Sequence, residues 1–256
     1  CRTFEDAFQA VKEGEAALAM IPIDNSVAGR VADIHHLMPQ SNLHIIGEHF
    51  LRVHHQLVAG KGTDIAKLKS VHSHVHALGQ CRKLIRELGL TPVVAVDTAG
   101  AARELRDVPD ASRAVISTAL AAEIYGLEVL RKNIEDEEHN TTRFVILSRE
   151  QREADASEPA VVTSFIFRVR NVPAALYKAM GGFATNGVNM TKLESYQLGG
   201  QFSATQFYAD IDGHPASRNV RLAMEELAFF TSYVRVLGVY PASPQRAEIA
   251  RRMSQA

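Results

Sequence analysis

The chain has 256 residues, 46% of them hydrophobic and 22% charged, and at ~150 residues per domain that length predicts two domains. Lys+Arg 28 against Asp+Glu 29 gives a net charge of -1, which lacks the basic footprint of a nucleic-acid binder, and no window reaches the ~20 continuous apolar residues of a membrane-spanning helix. Two cysteines, Cys1 and Cys81, cannot build a disulfide framework and suit a reducing compartment, so a cytoplasmic location is expected. The chain opens on Cys1 and enters a helical pattern almost at once, which predicts further sequence upstream.

Thr3 is placed as an N-cap, with Asp6 three residues on and Phe4, Ala7, Phe8 and Val11 along one helical face; Gly14 supplies the stop. The apolar run Ala17 to Ile23 predicts a buried strand that ends in the polar trio Asp24-Asn25-Ser26. The same grammar recurs three times. Ser70-Val71-His72 leads into Ser73-His74 and a helix to Leu88 with Gly89 as its stop; Val93 to Val96 leads into Asp97-Thr98 and an alanine-rich helix; Ala114-Val115-Ile116 leads into Ser117-Thr118 and a helix closing at Gly126. Strand, polar cap, helix is the pattern of a parallel α/β sheet. Ligands of such sheets bind beyond the carboxyl ends of the strands, where helix N-termini present free N–H groups. Each Ser, Thr or Asp there also has the plainer reading of an N-cap.

After a strand at Phe144 to Leu147, the charged and Ala/Ser-rich stretch Ser148 to Pro159 has no apolar periodicity and reads as a linker. Beyond it come an alternating strand (Val162 to Val169), a helix with Leu176, Met180, Phe183 and Ala184 on one face, a stop at Gly187, and a strand from Val188 to Leu193. A Gly199-Gly200 turn then leads to a strand from Phe202 to Ile211, a helix carrying Val220, Ala223, Met224, Leu227 and Ala228, and a last strand from Val234 to Tyr240. The order βαββαβ is the ferredoxin-like arrangement. The tail after Pro244 is polar and is expected to fray.

Chemistry concentrates in two segments. In Asn140-Thr141-Thr142-Arg143-Phe144, an extended backbone sends the two threonines to opposite faces, so that one can enter a cleft while β-branched strand preference explains the pair equally well. The other segment is Ser73-His74, followed by Ala77-Leu78 and Gln80-Cys81. His72, His74 and His76 alternate, but a strand ending near Ser73 breaks the shared face, so no metal is expected; the pairs His35-His36 and His54-His55 read as surface histidines. Cys81 lacks a basic partner and reads as a buried small residue. With no Walker loop, dinucleotide fingerprint or nucleophile elbow, no cofactor is expected.

These segments resemble, in order, the motifs of prephenate dehydratase followed by an ACT regulatory domain. Ile21-Pro22-Ile23-Asp24-Asn25-Ser26 is similar to the family's Glu-Asn-Ser segment, and Ser73-His74-Val75-His76-Ala77-Leu78-Gly79-Gln80-Cys81 to its Ser-His-Pro-x-Ala-Leu-x-Gln-Cys segment. Ala121 to Leu127 matches Ala-Ala-x-x-Tyr-Gly-Leu, and Asn140 to Phe144 matches Asn-x-Thr-Arg-Phe. Asp24 stands where the family has Glu, Val75 where it has Pro, and the family's opening strand with its Gly-rich loop would precede Cys1.

The resemblance implies an α/β fold: a two-lobed, periplasmic-binding-protein-like catalytic domain over residues 1–148 with its site between the lobes, a linker at 149–160, a ferredoxin-like βαββαβ (ACT) domain at 161–241, and a polar tail at 242–256. It implies conversion of prephenate to phenylpyruvate, with Thr142 as proton donor to the leaving hydroxyl and Asn25, Ser26, Ser73, His74, Gln80, Thr98, Arg143 and Phe144 lining the site, Arg143 either facing a substrate carboxylate or supporting the hinge. It further implies L-phenylalanine as effector of a homodimer or homotetramer, near Ala175, Leu176, Asn189, Glu194 and Ser195. In the effector motifs the family's Gly-Ala-Leu appears as Ala174-Ala175-Leu176 and its Glu-Ser-Arg-Pro as Glu194-Ser195-Tyr196-Gln197. Two alternatives stay open: arogenate dehydratase, and a solute-binding lipoprotein anchored at a terminal cysteine.

Overall fold

A computed structural model describes residues 1, 3–31, 34–137, 139–170, 172–197 and 204–253. In chain order the elements begin with α1 (Phe4–Glu13), β1 (Leu18–Asn25), β2 (Gly29–Arg30), α2 (Ile34–Ser41), β3 (His44–Arg52) and β4 (Gln56–Ala59). There follow β5 (Ser70–Ser73), α3 (Val75–Gly79), α4 (Arg82–Glu87), β6 (Thr91–Val94), α5 (Thr98–Asp107), β7 (Arg113–Ser117), α6 (Ala119–Ile124) and β8 (Glu128–Arg131). The chain closes with β9 (Thr141–Ser148), β10 (Val161–Val169), α7 (Ala175–Thr185), β11 (Met190–Gln197), β12 (Ala204–Asp212), α8 (Arg218–Phe230), β13 (Thr231–Pro241) and α9 (Pro244–Met253). Among the described residues no helix is long and apolar enough to cross a membrane.

Two compact units result, one made of residues 1–24, 30–51 and 143–256, the other of residues 25–29 and 52–142. The chain passes between them after Asp24, Gly29, Leu51 and Thr142.

The first unit holds two sheets. One has the order β2-β1-β9-β3 and the other β11-β12-β10-β13. Numbered by their own succession, the strands of the second sheet run 2-3-1-4, with β10 antiparallel to both β12 and β13 and β11 antiparallel to β12. That is the ferredoxin-like βαββαβ arrangement. The predicted Gly199-Gly200 turn and the start of the following strand at Phe202 lie outside the described residues. Helix α1 carries the predicted capping box, Thr3 and Asp6 each satisfying the other's backbone N–H, and ends in left-handed Gly14. Strand β1 is half-buried where full burial was expected: Ile21 and Ile23 point inward while Leu18 and Met20 face solvent, as period-two alternation over a one-sided sheet requires. One core joins both sheets, with Ile21, Ile23, Ile45, Val145 and Leu147 packed together with Val162, Ile166, Tyr208, Leu237 and Tyr240. The close approach is made at Gly238, where any side chain would run into the Ile45 backbone.

The 149–160 segment has no regular structure but is fastened: the Arg149 guanidinium donates to the carbonyls of Val11 and Ala16, and Ala154 N–H to Val239. Past Pro244 the chain forms α9 in place of the fraying tail. Glu48, at zero side-chain exposure, accepts from Ser243 N–H (3.0 Å) and from Arg246 Nε (2.5 Å), which ties that helix down.

The second unit is built on the sheet β6-β5-β7-β4-β8. Strands β5, β6 and β7 are parallel and are each followed by a helix, as the repeated grammar predicts. Strand β4 runs antiparallel to β7 and β8, so the sheet is mixed instead of fully parallel. The predicted helix to Leu88 is two helices. It breaks at Gln80-Cys81 because the Asp136 carboxylate accepts from the N–H groups of Arg82 and Lys83 and starts α4 anew.

Candidate active site

A hydrogen-bonded chain of five side chains, Thr142, Asn25, Asn140, Gln80 and His55, lies in the second unit, and its polarity follows from one turn. Asn25 Oδ1 accepts from the backbone N–H groups of Val27 (3.0 Å) and Ala28 (2.7 Å). This Asx turn leaves only the amide nitrogen of Asn25 for its other neighbours. Nδ2 therefore donates to Asn140 Oδ1 (2.8 Å) and to Thr142 Oγ1 (3.0 Å). Asn140, buried, must then donate through its own Nδ2, which it does to Gln80 Oε1 (2.8 Å). Gln80 Oε1 also takes His55 Nε2 (2.8 Å), so His55 carries its proton on Nε2. The backbone N–H of His55 is held in turn by Glu135, whose other oxygen meets His54 Nδ1 (3.0 Å).

For Thr142 the outcome is specific. Its oxygen accepts a hydrogen bond from Asn25 Nδ2, so its own hydroxyl proton is not used in this contact, and any negative charge developing on the oxygen has a donor in place. Ser26 braces the same turn: its hydroxyl donates to His139 O (2.6 Å) and accepts from Thr141 N–H (2.9 Å).

Other predicted residues are spent locally. Ser73 is fully buried and donates to Ile116 O (2.6 Å), His74 caps α3 through Nδ1, and Thr98 opens α5 with its carbonyl accepting from Ser117. Burial, then neighbouring His76, lowers the pKa of His74 and keeps it in the neutral form that capping needs. Asp97 and Thr118 act as N-caps. Cys81 is buried, and burial followed by Asp136 and Glu135 raises its thiol pKa, consistent with an inert side chain. The expectation of surface histidines fails for His55, which is buried, and holds for His54, whose partly exposed ring is paired to Glu135.

Arg143 departs furthest from expectation. In place of facing a substrate carboxylate, it lies buried in the first unit with Nε on Glu48 (2.8 Å), one Nη on Asp210 (2.5 Å) and the other on Tyr240 (3.0 Å). Ser164 donates its single proton to Asp210, so Tyr208 and Tyr240 both donate to Ser164. Burial opposes charge on this cluster, yet Arg143 and Asp210 stabilise one another, leaving Asp210 below and Arg143 above the ordinary values. Phe144, next on β9, is half-buried.

Of the effector candidates, Ala175 is buried, Leu176 packs on the core of the C-terminal sheet, and Asn189 donates to Asp212 (2.7 Å). Glu194 meets Lys192 (3.3 Å) and Arg30 (3.7 Å), and the Ser195 carbonyl accepts from Arg30 (3.0 Å). Lys192 reaches on to Asp24 (2.5 Å). His55, Lys192, Glu48 and Asp210 carry no local sequence signal, because each partner lies far along the chain. Asn140 was visible in the motif but had no assigned task.

The family model of prephenate dehydratase matches residues 1–152. The chain is 51% identical over 246 residues, 96% of its length and 88% of the relative's, to a bifunctional N-acyl-homoserine lactone acylase/prephenate dehydratase of Komagataeibacter europaeus. It is 36% identical to arogenate dehydratase/prephenate dehydratase 2 of Arabidopsis thaliana, over 94% of this chain and 65% of that one. Among solved structures, the quorum-quenching acylase GqqA aligns with a TM-score of 0.88 at 50% identity, covering 96% of this chain and 89% of that one. A prephenate dehydratase from Arthrobacter aurescens in complex with L-Phe aligns with a TM-score of 0.85 at 30% identity, covering 100% and 88%. Motif order, the Asn25–Thr142 pair and these likenesses agree, and the chain belongs to the prephenate dehydratase family.

Proposed function

We propose that the chain converts prephenate to phenylpyruvate, with Thr142 as the proton donor. In this reaction the bond between ring and carboxylate breaks and its electron pair enters the ring. The ring C–O bond breaks, the hydroxyl takes up one proton, and carbon dioxide and water leave. Aromatisation supplies much of the driving force, so a weak acid suffices. The observation that carries the assignment is the Asn25 to Thr142 hydrogen bond, which leaves the hydroxyl proton to be donated and stabilises the oxygen that gives it up. Asn140 and Gln80 hold Asn25 in place and Ser26 braces its turn, while the Nε2–H that His74 keeps beside its capping Nδ1 and the Thr98 hydroxyl supply polar groups for the substrate's carboxylates.

The 161–241 block fits an ACT-type regulatory domain that takes L-phenylalanine near Ala175, Leu176, Asn189, Glu194 and Ser195, in a homodimer or homotetramer. Support comes from its strand order and from the L-Phe complex of the Arthrobacter relative. The test is phenylpyruvate release from prephenate, run beside phenylalanine release from arogenate to rank the two substrates. Thr142→Val should lower kcat by ~10²–10⁴-fold with little change in KM, the range of a general acid. Thr142→Ser should keep most of the rate, and a Val variant within about tenfold of the parent would remove Thr142 from the role.

The 51% identity to the Komagataeibacter protein favours a second activity, hydrolysis of the amide of N-acyl-homoserine lactones. Release of homoserine lactone and free fatty acid would establish it; its absence would confine the chain to dehydration.

A further inference from the structure

Two consecutive pairs of residues link the proposed active site to the C-terminal sheet. Asp24 and Asn25 are neighbours at the end of β1, and Thr142 and Arg143 are neighbours at the start of β9. Successive residues on a strand point to opposite faces. Asn25 and Thr142 accordingly meet on one face, at 3.0 Å, and Asp24 and Arg143 on the other, at 3.7 Å. Each residue of the second pair is gripped by the C-terminal sheet, Asp24 by Lys192 of β11 (2.5 Å) and Arg143 by Asp210 of β12 (2.5 Å). The division into compact units falls at the peptide bonds after Asp24 and Thr142. These are the points where the two strands pass from one unit to the other.

Stability alone gives little reason for this arrangement. An ion pair taken out of water gains little over an apolar packing of the same volume, and Lys192 is only 10% exposed. What the pair does is fix a position. Lys192 also shares its ammonium with Glu194, at 3.3 Å, inside the effector motif. A ligand whose ammonium bound Glu194 would compete with Lys192 for that carboxylate and so alter the hold of Lys192 on Asp24.

We propose that Lys192 and Asp210 are positioning residues for the dehydration step: through Asp24 and Arg143 they set the placement of Asn25 and Thr142, and Lys192 carries the state of the effector site to the Thr142 hydroxyl. The proposal rests on the dehydratase reading above.

The test uses the full chain with Lys192→Met and Lys192→Arg. It measures kcat and KM on prephenate with and without L-phenylalanine, and amide hydrogen exchange in β1 and β9. Coupling residues of this kind shift rates by roughly 2- to 30-fold. Lys192→Met should lower kcat within that range at nearly constant KM, weaken the response to phenylalanine, and speed exchange in β1 and β9 while the sheet of the second unit keeps its protection. Lys192→Arg should stay close to the parent. A Met variant with unchanged kcat and exchange, or with only KM altered, overturns the proposal. Should the parent turn over neither prephenate nor arogenate, the dehydratase reading falls, and exchange alone decides the positioning role: faster in β1 and β9 supports it, unchanged refutes it.

Discussion

Replacing Arg143 with Met tests the buried cluster most directly. Three carboxylates, Asp24, Glu48 and Asp210, face three cations, Arg143, Arg246 and Lys192, so the cluster is neutral. Without Arg143, Glu48 still has Arg246, and Asp24 still has Lys192. Asp210 is left at zero side-chain exposure with neutral hydroxyl donors, Ser164 and Tyr208, and no cation. Stranding a buried charge in this way costs about 3–5 kcal/mol. Asp210→Asn alone removes a charged hydrogen bond but leaves Arg143 on Glu48 and Tyr240, a loss of about 1.5–3 kcal/mol. With both changes no unpaired charge remains, so the double variant should lie above the sum of the singles by about 2 kcal/mol, within the range of contacting pairs. Urea unfolding followed by far-ultraviolet circular dichroism gives the three stabilities. Tyrosine fluorescence gives a local probe, since the chain has no Trp and Tyr208 and Tyr240 belong to the cluster. Additivity within about 0.5 kcal/mol would show that Arg143 and Asp210 are not energetically joined and would refute the reasoning.

The same cluster predicts an acid limb. Asp210 is held below its ordinary 3.8, so its contribution is complete above that value and is lost as pH falls through the lower folded one. Stability measured between about pH 5 and pH 2 should fall less steeply in Asp210→Asn than in the parent, and parallel curves would contradict this. Gly238→Ala should destabilise by at least about 1–3 kcal/mol, because the added methyl meets the Ile45 backbone, which has no rotamer to yield; an unchanged melting temperature would argue against the close approach of β13 to β3. Ala174 sits at φ 61°, a left-handed position, so Ala174→Gly should raise stability by about 0.5–1 kcal/mol, and a loss there would show that the methyl packs usefully.

What the sequence disclosed was what short-range rules govern. Thr3 with Asp6 and the strand–cap–helix units between Ser70 and Gly126 depend on residues within one turn of each other, whereas the alternation expected from Val162 to Val169 is absent, since β10 is buried on both faces from Val161 to Phe167. The break at Gln80-Cys81 is imposed by Asp136, and the antiparallel setting of β4 by its neighbours β7 and β8. Neither has a local signature. For the candidate site, the family resemblance implied Asn25, Gln80 and Thr142, which the structure brings together through Asn140. For Arg143, expected either to face a substrate carboxylate or to support the hinge, the contacts are with Glu48, Asp210 and Tyr240 and not with an open anion site, and Asp210 lies 67 residues onward, beyond the reach of any motif.

The common core of the two sheets in the first unit bears on how this gene can be divided. Severing the polypeptide within 149–160 would tear Val162, Ile166, Tyr208 and Tyr240 from Ile21, Ile45, Val145 and Leu147, and would expose both faces to water. The upstream fragment would also keep Glu48 and Arg143 without Asp210. A boundary that is obvious in composition is thus absent from the packing. Expression of the amino-terminal part alone should give an aggregating product, and recombination with other regulatory modules would have to carry the matching apolar face along.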